Sequence, residues 1–134
     1  MIRSVKRAKE FVLVSGNKVG ALSKVAALLA DHGIDILAIS AQAAGGVALM
    51  NLVTDDALRT KDLLAKKGLK AQENEVLLLE VEDKPGVLMR ITQRLAAKKI
   101  DILNIYASAP ASYGPCVLVL STNNNQKAQI TLKV

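Results

Sequence analysis

Aromatic side chains are almost missing from this 134-residue chain: Phe11, Tyr106 and Tyr113 are the whole set, and there is no tryptophan. A core built from it must be aliphatic. One cysteine, Cys116, excludes an internal disulfide, and one cysteine with one histidine, His32, cannot supply the four ligands of a structural zinc. Cys116 opens the apolar run 116–120, where a buried and inert thiol is expected. Long hydrophobic runs are absent too. No stretch approaches the roughly 18 apolar residues of a membrane span. The basic N-terminus lacks the apolar core of a secretory signal, so a cytoplasmic protein is the expectation.

Acidic residues are outnumbered, 12 against 18 lysines and arginines, for a formal charge of +6. Residues 1–9 hold Arg3, Lys6, Arg7 and Lys9 and no other charge but these; residues 10–74 balance seven basic against seven acidic groups; residues 75–134 have seven against five. An excess held mainly in a short arm reads as a solvated, solubilising segment rather than a polyanion site.

What the chain does have is a repeat. Shifted by 66 residues, Lys18 to Ile39 falls on Lys84 to Ile105 with 10 of 22 positions identical, among them Gly20, Leu22, Leu29, Ile34, Asp35 and Ile36. Each copy opens with a short apolar run, 11–14 or 76–79, of the kind that forms a buried strand. A glycine-containing turn follows. Leu22, Val25, Ala26 and Leu29 then recur at i, i+3, i+4 and i+7, as do Leu88, Ile91, Thr92 and Leu95, which marks one face of an amphipathic helix. Gly33 suits the left-handed end of the first helix, an advantage its counterpart Lys99 lacks.

Second strands are predicted at 34–41 and 100–107, and third strands at 47–53 and 116–120. Asp55 or Asp56 caps a second helix that runs to Lys67 and stops at Gly68, and a strand from Leu69 to about Glu73 closes the first copy. The fold class is therefore α+β: two ferredoxin-like β-α-β-β-α-β modules in tandem, each an antiparallel sheet with helices on one face. The divisions are residues 1–9 as an arm, 10–74 as the first module and 75–134 as the second. The second copy runs short. Residues 126–133 suffice for a helix or a strand but not both; the helix is preferred, leaving the last strand absent and a sheet edge for the arm or a second subunit to cover.

The turns Asn17-Lys18-Val19-Gly20-Ala21-Leu22 and Asp83-Lys84-Pro85-Gly86-Val87-Leu88 each precede a helix. Glycine lets a ligand approach the main chain, and the free N–H groups of a helix start suit a carboxylate. Asp35 and Asp101, expected beside these turns at the start of the second strands, could receive an ammonium group; the two functions together describe an α-amino acid. Against this stands the plain reading of Asn17 and Asp83 as helix caps and of the glycines as turn residues without a ligand.

The second turn, followed by an amphipathic helix and Ile100-Asp101-Ile102, resembles the ACT-domain pattern D/N-x-P-G-x-L, helix, (G)-I-N/D-I, and the first copy repeats it with Val19 in place of the proline. The resemblance covers nearly the whole chain. It implies a non-catalytic regulatory protein in which modules lie side by side and an amino acid binds at the seam, between the turn of one and the strand start of its neighbour. Carried over by position, the site residues are Asn17, Gly20, Ala21, Leu22 and Asp35, and Asp83, Gly86, Val87, Leu88 and Asp101. The family often has asparagine where this chain has Asp35 and Asp101.

The expected function is thus an amino-acid-binding sensor acting on an enzyme or regulator, with no cofactor or metal, no membrane association, and a homodimer as the assembly. A ligand-free interaction subunit of an enzyme is the alternative. A nucleic-acid-binding ferredoxin-like module fits less well. Such modules stack bases on sheet aromatics, and only Phe11 lies on a predicted first strand. The stripe Arg90, Arg94 and Lys98 reads as a solvated helix face. Catalysis has the least support: His32 suits a helix-terminal charge, Cys116 has no histidine near it in sequence, and no P-loop occurs.

Overall fold

A computed structural model describes residues 1–16, 19–108 and 114–133. In chain order the elements are β1 (Ile2–Gly16), α1 (Ala21–Asp31), β2 (Ile36–Ala44), β3 (Val47–Thr54), α2 (Ala57–Lys66), β4 (Ala71–Val81), α3 (Val87–Ala97), β5 (Ile102–Ser108), β6 (Cys116–Thr122) and α4 (Asn125–Leu132). They fall into two compact units, residues 9–74 and residues 1–8 with 75–134.

In the unit of residues 9–74 the strand order is β2-β3-β1-β4. β1 and β3 run antiparallel with Phe11 opposite Leu52 and Leu13 opposite Met50, and β3 pairs β2 with Ile39 opposite Leu52. Residues two apart on a strand share a face, so these four side chains form one apolar surface. Val25 and Leu29 of α1, four apart and therefore stacked on one helix face, cover it together with Ile34 and Leu64 of α2, and all eight residues are buried. Truncating a side chain as enclosed as Leu29 costs about 2–5 kcal/mol. α2 starts where the Asp56 carboxylate accepts the Arg59 N–H at 3.1 Å.

The other unit repeats the plan with the order β1-β4-β6-β5. Leu77 opposes Leu120 and Leu79 opposes Leu118, while β5 joins through Ile105 opposite Leu120. Ile91 and Leu95 of α3 and Ala128 and Leu132 of α4 close this core. The segment after β6 is helical, and the Asn124 side chain caps α4 by accepting the Lys127 N–H at 3.0 Å.

The arm is the main correction. The strand begins at Ile2, not at Phe11, and residues 2–8 take the fourth-strand position that residues 75–134 leave empty. Ile2 is buried and Val5 packs against the same core; the Glu82 N–H donates to the Met1 carbonyl at 2.8 Å. A polar, cationic segment is drawn into the sheet because Ile2 and Val5 meet apolar surface and its main chain satisfies an open edge. The second module therefore has all four strands, one of them supplied from more than 70 residues upstream. The closing strand expected at 69–73 and the opening strand expected at 76–79 are likewise one continuous β4.

Candidate functional site

Two of the four helices start without a side-chain cap, and they are the two that follow the glycine turns. Gly20 is the N-cap of α1 at φ 86°, Gly86 the N-cap of α3 at φ 90°, and among the described residues neither helix start receives a side-chain hydrogen bond. This left-handed conformation is one that glycine adopts without strain. α2 and α4, by contrast, are closed by Asp56 and Asn124. The helix-cap reading of Asp83 is thereby excluded; Asn17 lies outside the described residues.

In the unit of residues 9–74 the open start of α1 faces a cavity of about 430 Å³, lined by Gly20, Ala21, Leu22 and Ser23 on one side and by Ala41, Gln42, Ala43, Ala48 and Met50 on the other. Its size falls within the range of small-ligand pockets. Among the described residues no lining side chain is ionisable. The polar groups are main-chain amides at a helix start, the Ser23 hydroxyl and the Gln42 amide, a set that accepts an anion through N–H donors and the helix dipole. Small alanines on both walls leave room for a compact aliphatic group.

Asp35 and Asp101 are not beside these turns within their own units. α1 is 11 residues long, about 16 Å at 1.5 Å per residue, and Asp35 follows its far end. There the Asp35 N–H donates to Asp55 Oδ1 at 3.0 Å and the Asp55 N–H returns to the Asp35 carbonyl at 3.0 Å. Asp101 and Asn123 repeat this reciprocal clamp at 3.1 Å in both directions. The side chains of Asp35 and Asp101 remain exposed.

Ala41, Gln42, Ala43, Ala48 and Met50 escaped the sequence reading. Counting would have found them. Five strand residues at about 3.3 Å match an 11-residue helix, so a strand returning beneath α1 from Ile36 reaches the helix start near Ala41.

The second turn is electrostatically different. Glu82 accepts from Lys84 Nζ at 2.7 Å and from the Met1 ammonium at 3.1 Å. The Lys84 hydrogen bond, then the terminal ammonium, pull its carboxyl from an ordinary 4.5 down to about 2. Cys116, half-buried at the start of β6, has its thiol pushed up by burial first and then by the Asp83 carboxylate, so it stays protonated and unreactive. Val87 is buried in the core and Leu88 is exposed. The Val87 N–H is turned to the Lys84 carbonyl at 3.3 Å. Residues 109–113 lie outside the described set.

Among the described residues no group of three or more His, Cys, Asp or Glu side chains could hold a metal, and no helix is long and apolar enough to cross a membrane.

Solved structures share this architecture. Protein BT0572 from Bacteroides thetaiotaomicron superposes with a TM-score of 0.88 at 21% identity over 96% of this chain and 88% of its own. The regulatory subunit of aspartate kinase from Thermus thermophilus, in a ligand-free form, gives 0.68 at 16% identity over 98% and 94%. Aspartate kinase from Clostridium acetobutylicum gives 0.55 at 12% identity, with 98% of this chain matching 34% of the larger enzyme. At these identities the likeness is one of fold. No curated protein sequence matches the chain. A family model described as an ACT domain pair matches residues 7–133, and with both glycine turns, both helix starts and both four-stranded units in place the chain belongs to the ACT domain family.

Proposed function

We propose that this ACT pair is a non-catalytic sensor that binds an α-amino acid with a small, neutral side chain at the Gly20 turn and passes its occupancy to another protein. The observation that carries this is the glycine-led start of α1 opening on a cavity whose described wall holds no ionisable side chain. The ligand carboxylate lies against the N–H groups of Ala21 and Leu22, with Gly20 shaping the turn, and the side chain lies among Ala41, Ala43 and Met50.

The ammonium group finds its acid across a seam. β2 ends the strand order and carries neither charge nor proline over Ile36–Ala44, so its edge is open to pairing. Antiparallel pairing with β2 of a second copy sets the start of one strand against the end of the other. That arrangement brings Asp35 of the partner subunit towards Gln42 and the Gly20 turn. Asp83, Gly86, Val87, Leu88 and Asp101 form the corresponding second site, in which the Glu82–Lys84 pair makes the turn more polar. A ligand bound at such a seam shifts the protein between packings only by its difference in affinity for them.

Calorimetric titration of the full chain with the common amino acids tests this, alongside its sedimentation with and without ligand. Binding of a small neutral amino acid, weakened in Gly20→Ala and in Asp35→Asn, is the expected result. Asp35→Asn leaves the main-chain clamp to Asp55 intact, so its effect reports the side chain. Binding by no amino acid, or binding indifferent to both substitutions, overturns the proposal.

A further inference from the structure

The two units differ sharply in charge. Residues 1–8 with 75–134 hold ten basic and five acidic side chains, whereas residues 9–74 hold eight and seven. The imbalance is greatest on the helix layer of the first of these. Residues 87–99 and 123–133 contain Arg90, Arg94, Lys98, Lys99, Lys127 and Lys133 and no carboxylate at all. The helices of residues 9–74 with their caps mix Lys24, Arg59, Lys61, Lys66 and Lys67 with Asp31, Asp56 and Asp62.

The fold does not require this. At the matching repeat positions Leu28, His32 and Gly33 stand where the basic face has Arg94, Lys98 and Lys99, and Asp31 stands where it has Ala97. The repeat is thus its own control. Nor are the charges consumed internally. Arg90 reaches the Met1 sulfur, Arg94 the Thr131 carbonyl and Lys127 the Lys98 carbonyl, all neutral atoms. Among the described residues no ion pair ties any of these cations.

Lys99 adds an independent sign. It is the one non-glycine residue at positive φ, 57°, among the described residues, in the place that Gly33 fills at φ 68°. A lysine kept where glycine is conformationally favoured points to a use for its charge. Between the cations stand exposed alkyl groups, Met89 at 54% and Ile130 at 70% accessibility. Neither helix offers an aromatic ring for base stacking. Three exposed alkyl side chains, Leu88 together with Met89 and Ile130, are too few to anchor a helix in an interfacial membrane layer.

We propose that the α3–α4 face is a docking surface for an acidic, aliphatic-bearing segment of a partner protein, carboxylates meeting the cations and alkyl groups meeting Met89 and Ile130. It is the route by which a regulatory module reaches its target, and it stands whether or not Gly20 receives an amino acid. The partner is recognised by chemistry, charge for steering and alkyl contact for orientation.

The test uses a synthetic helical peptide of glutamate and leucine, with a 20-base-pair duplex DNA and phosphatidylserine vesicles as competitors of other classes. Fluorescence anisotropy with the full chain is expected to show peptide binding that weakens as salt rises. Affinity should fall by about fivefold or more in Arg90→Gln/Lys99→Gly. Lys24→Gln, the equivalent position on the balanced face, should leave it unchanged. Because Lys99→Gly relieves a strained backbone, its thermal midpoint should rise, which separates lost binding from lost folding. Equal loss in Lys24→Gln, no loss in the double variant, or tighter binding of DNA or vesicles than of peptide overturns the proposal.

Discussion

Lys99 and Gly33 occupy the same left-handed position, one residue beyond the C-caps Lys98 and His32, at φ 57° and 68°. In both copies a main-chain bond follows, Ile100 N–H to Leu95 and Ile34 N–H to Leu29, at 3.0 and 2.9 Å. The hydrogen bonding is the same; the cost of holding a side chain there is not. Lys99→Gly is expected to stabilise the protein by about 0.5–1 kcal/mol, and Gly33→Lys to destabilise it by about 1–2 kcal/mol. Urea unfolding monitored by circular dichroism measures both. A neutral Lys99→Gly would mean that the local backbone carries no strain.

The arm strand holds the second module's core from outside its own stretch of sequence. Ile2→Ala should cost about 2 kcal/mol or more, because Ile2 is 7% exposed among Leu77, Leu79 and Leu132. Hydrogen exchange should quicken in α3 and α4 more than in α1 and α2. Equal loss of protection in all four helices would show that the cores of the two units do not open separately.

Acid should loosen the junction at Glu82. Its folded carboxyl titrates at about 2 against an ordinary 4.5, so the pairing contributes fully above pH 4.5 and is lost as pH falls towards 2. Glu82→Gln should therefore remove part of the acid sensitivity in that window and leave the neutral-to-basic side of the profile alone. Since the ion pairs lie at the surface, the effect is small and weakens with salt. Thermal midpoints of the two proteins at pH 2 to 6 decide it.

Gly20→Ala probes the turn. No atom of the described residues lies within 4 Å of where the methyl group would sit, so against them the substitution meets only the strain of φ 86°. A loss of about 1–2 kcal/mol is expected. Loss of ligand binding beyond what that destabilisation explains would mark the turn as the binding element, and calorimetry at a temperature where both proteins are folded separates the two.

The repeat, the helix faces and the position of each glycine turn were legible along the chain because they are periodic local signals. Leu22, Val25 and Leu29 announce α1 by spacing alone, and the pair Asp55 and Asp56 announces a cap for α2, which the structure assigns to Asp56. Asp35 was misplaced for a geometric reason. It follows the helix that Gly20 begins, and nearness in sequence was taken for nearness in space, although 11 helical residues carry the chain away from the turn and β2 brings Ala41 and Gln42 back to it. The reciprocal bonds of Asp35 with Asp55 and of Asp101 with Asn123 left no periodic trace, since they join loops 20 and 22 residues apart.

By itself the order of residues determined that there are two copies of one module, aliphatic inside, each with a helix starting at a glycine. Those properties follow from side-chain period and from the φ values a residue tolerates, which act over a few residues. Only the tertiary structure decided that residues 2–8 complete the far copy, that the end rather than the start of β2 walls the cavity, and that the surplus cations gather on one helix layer. Each depends on which distant segments satisfy one another's main-chain groups and apolar faces, a choice made by the folded sheet as a whole and carried by no single stretch of the chain.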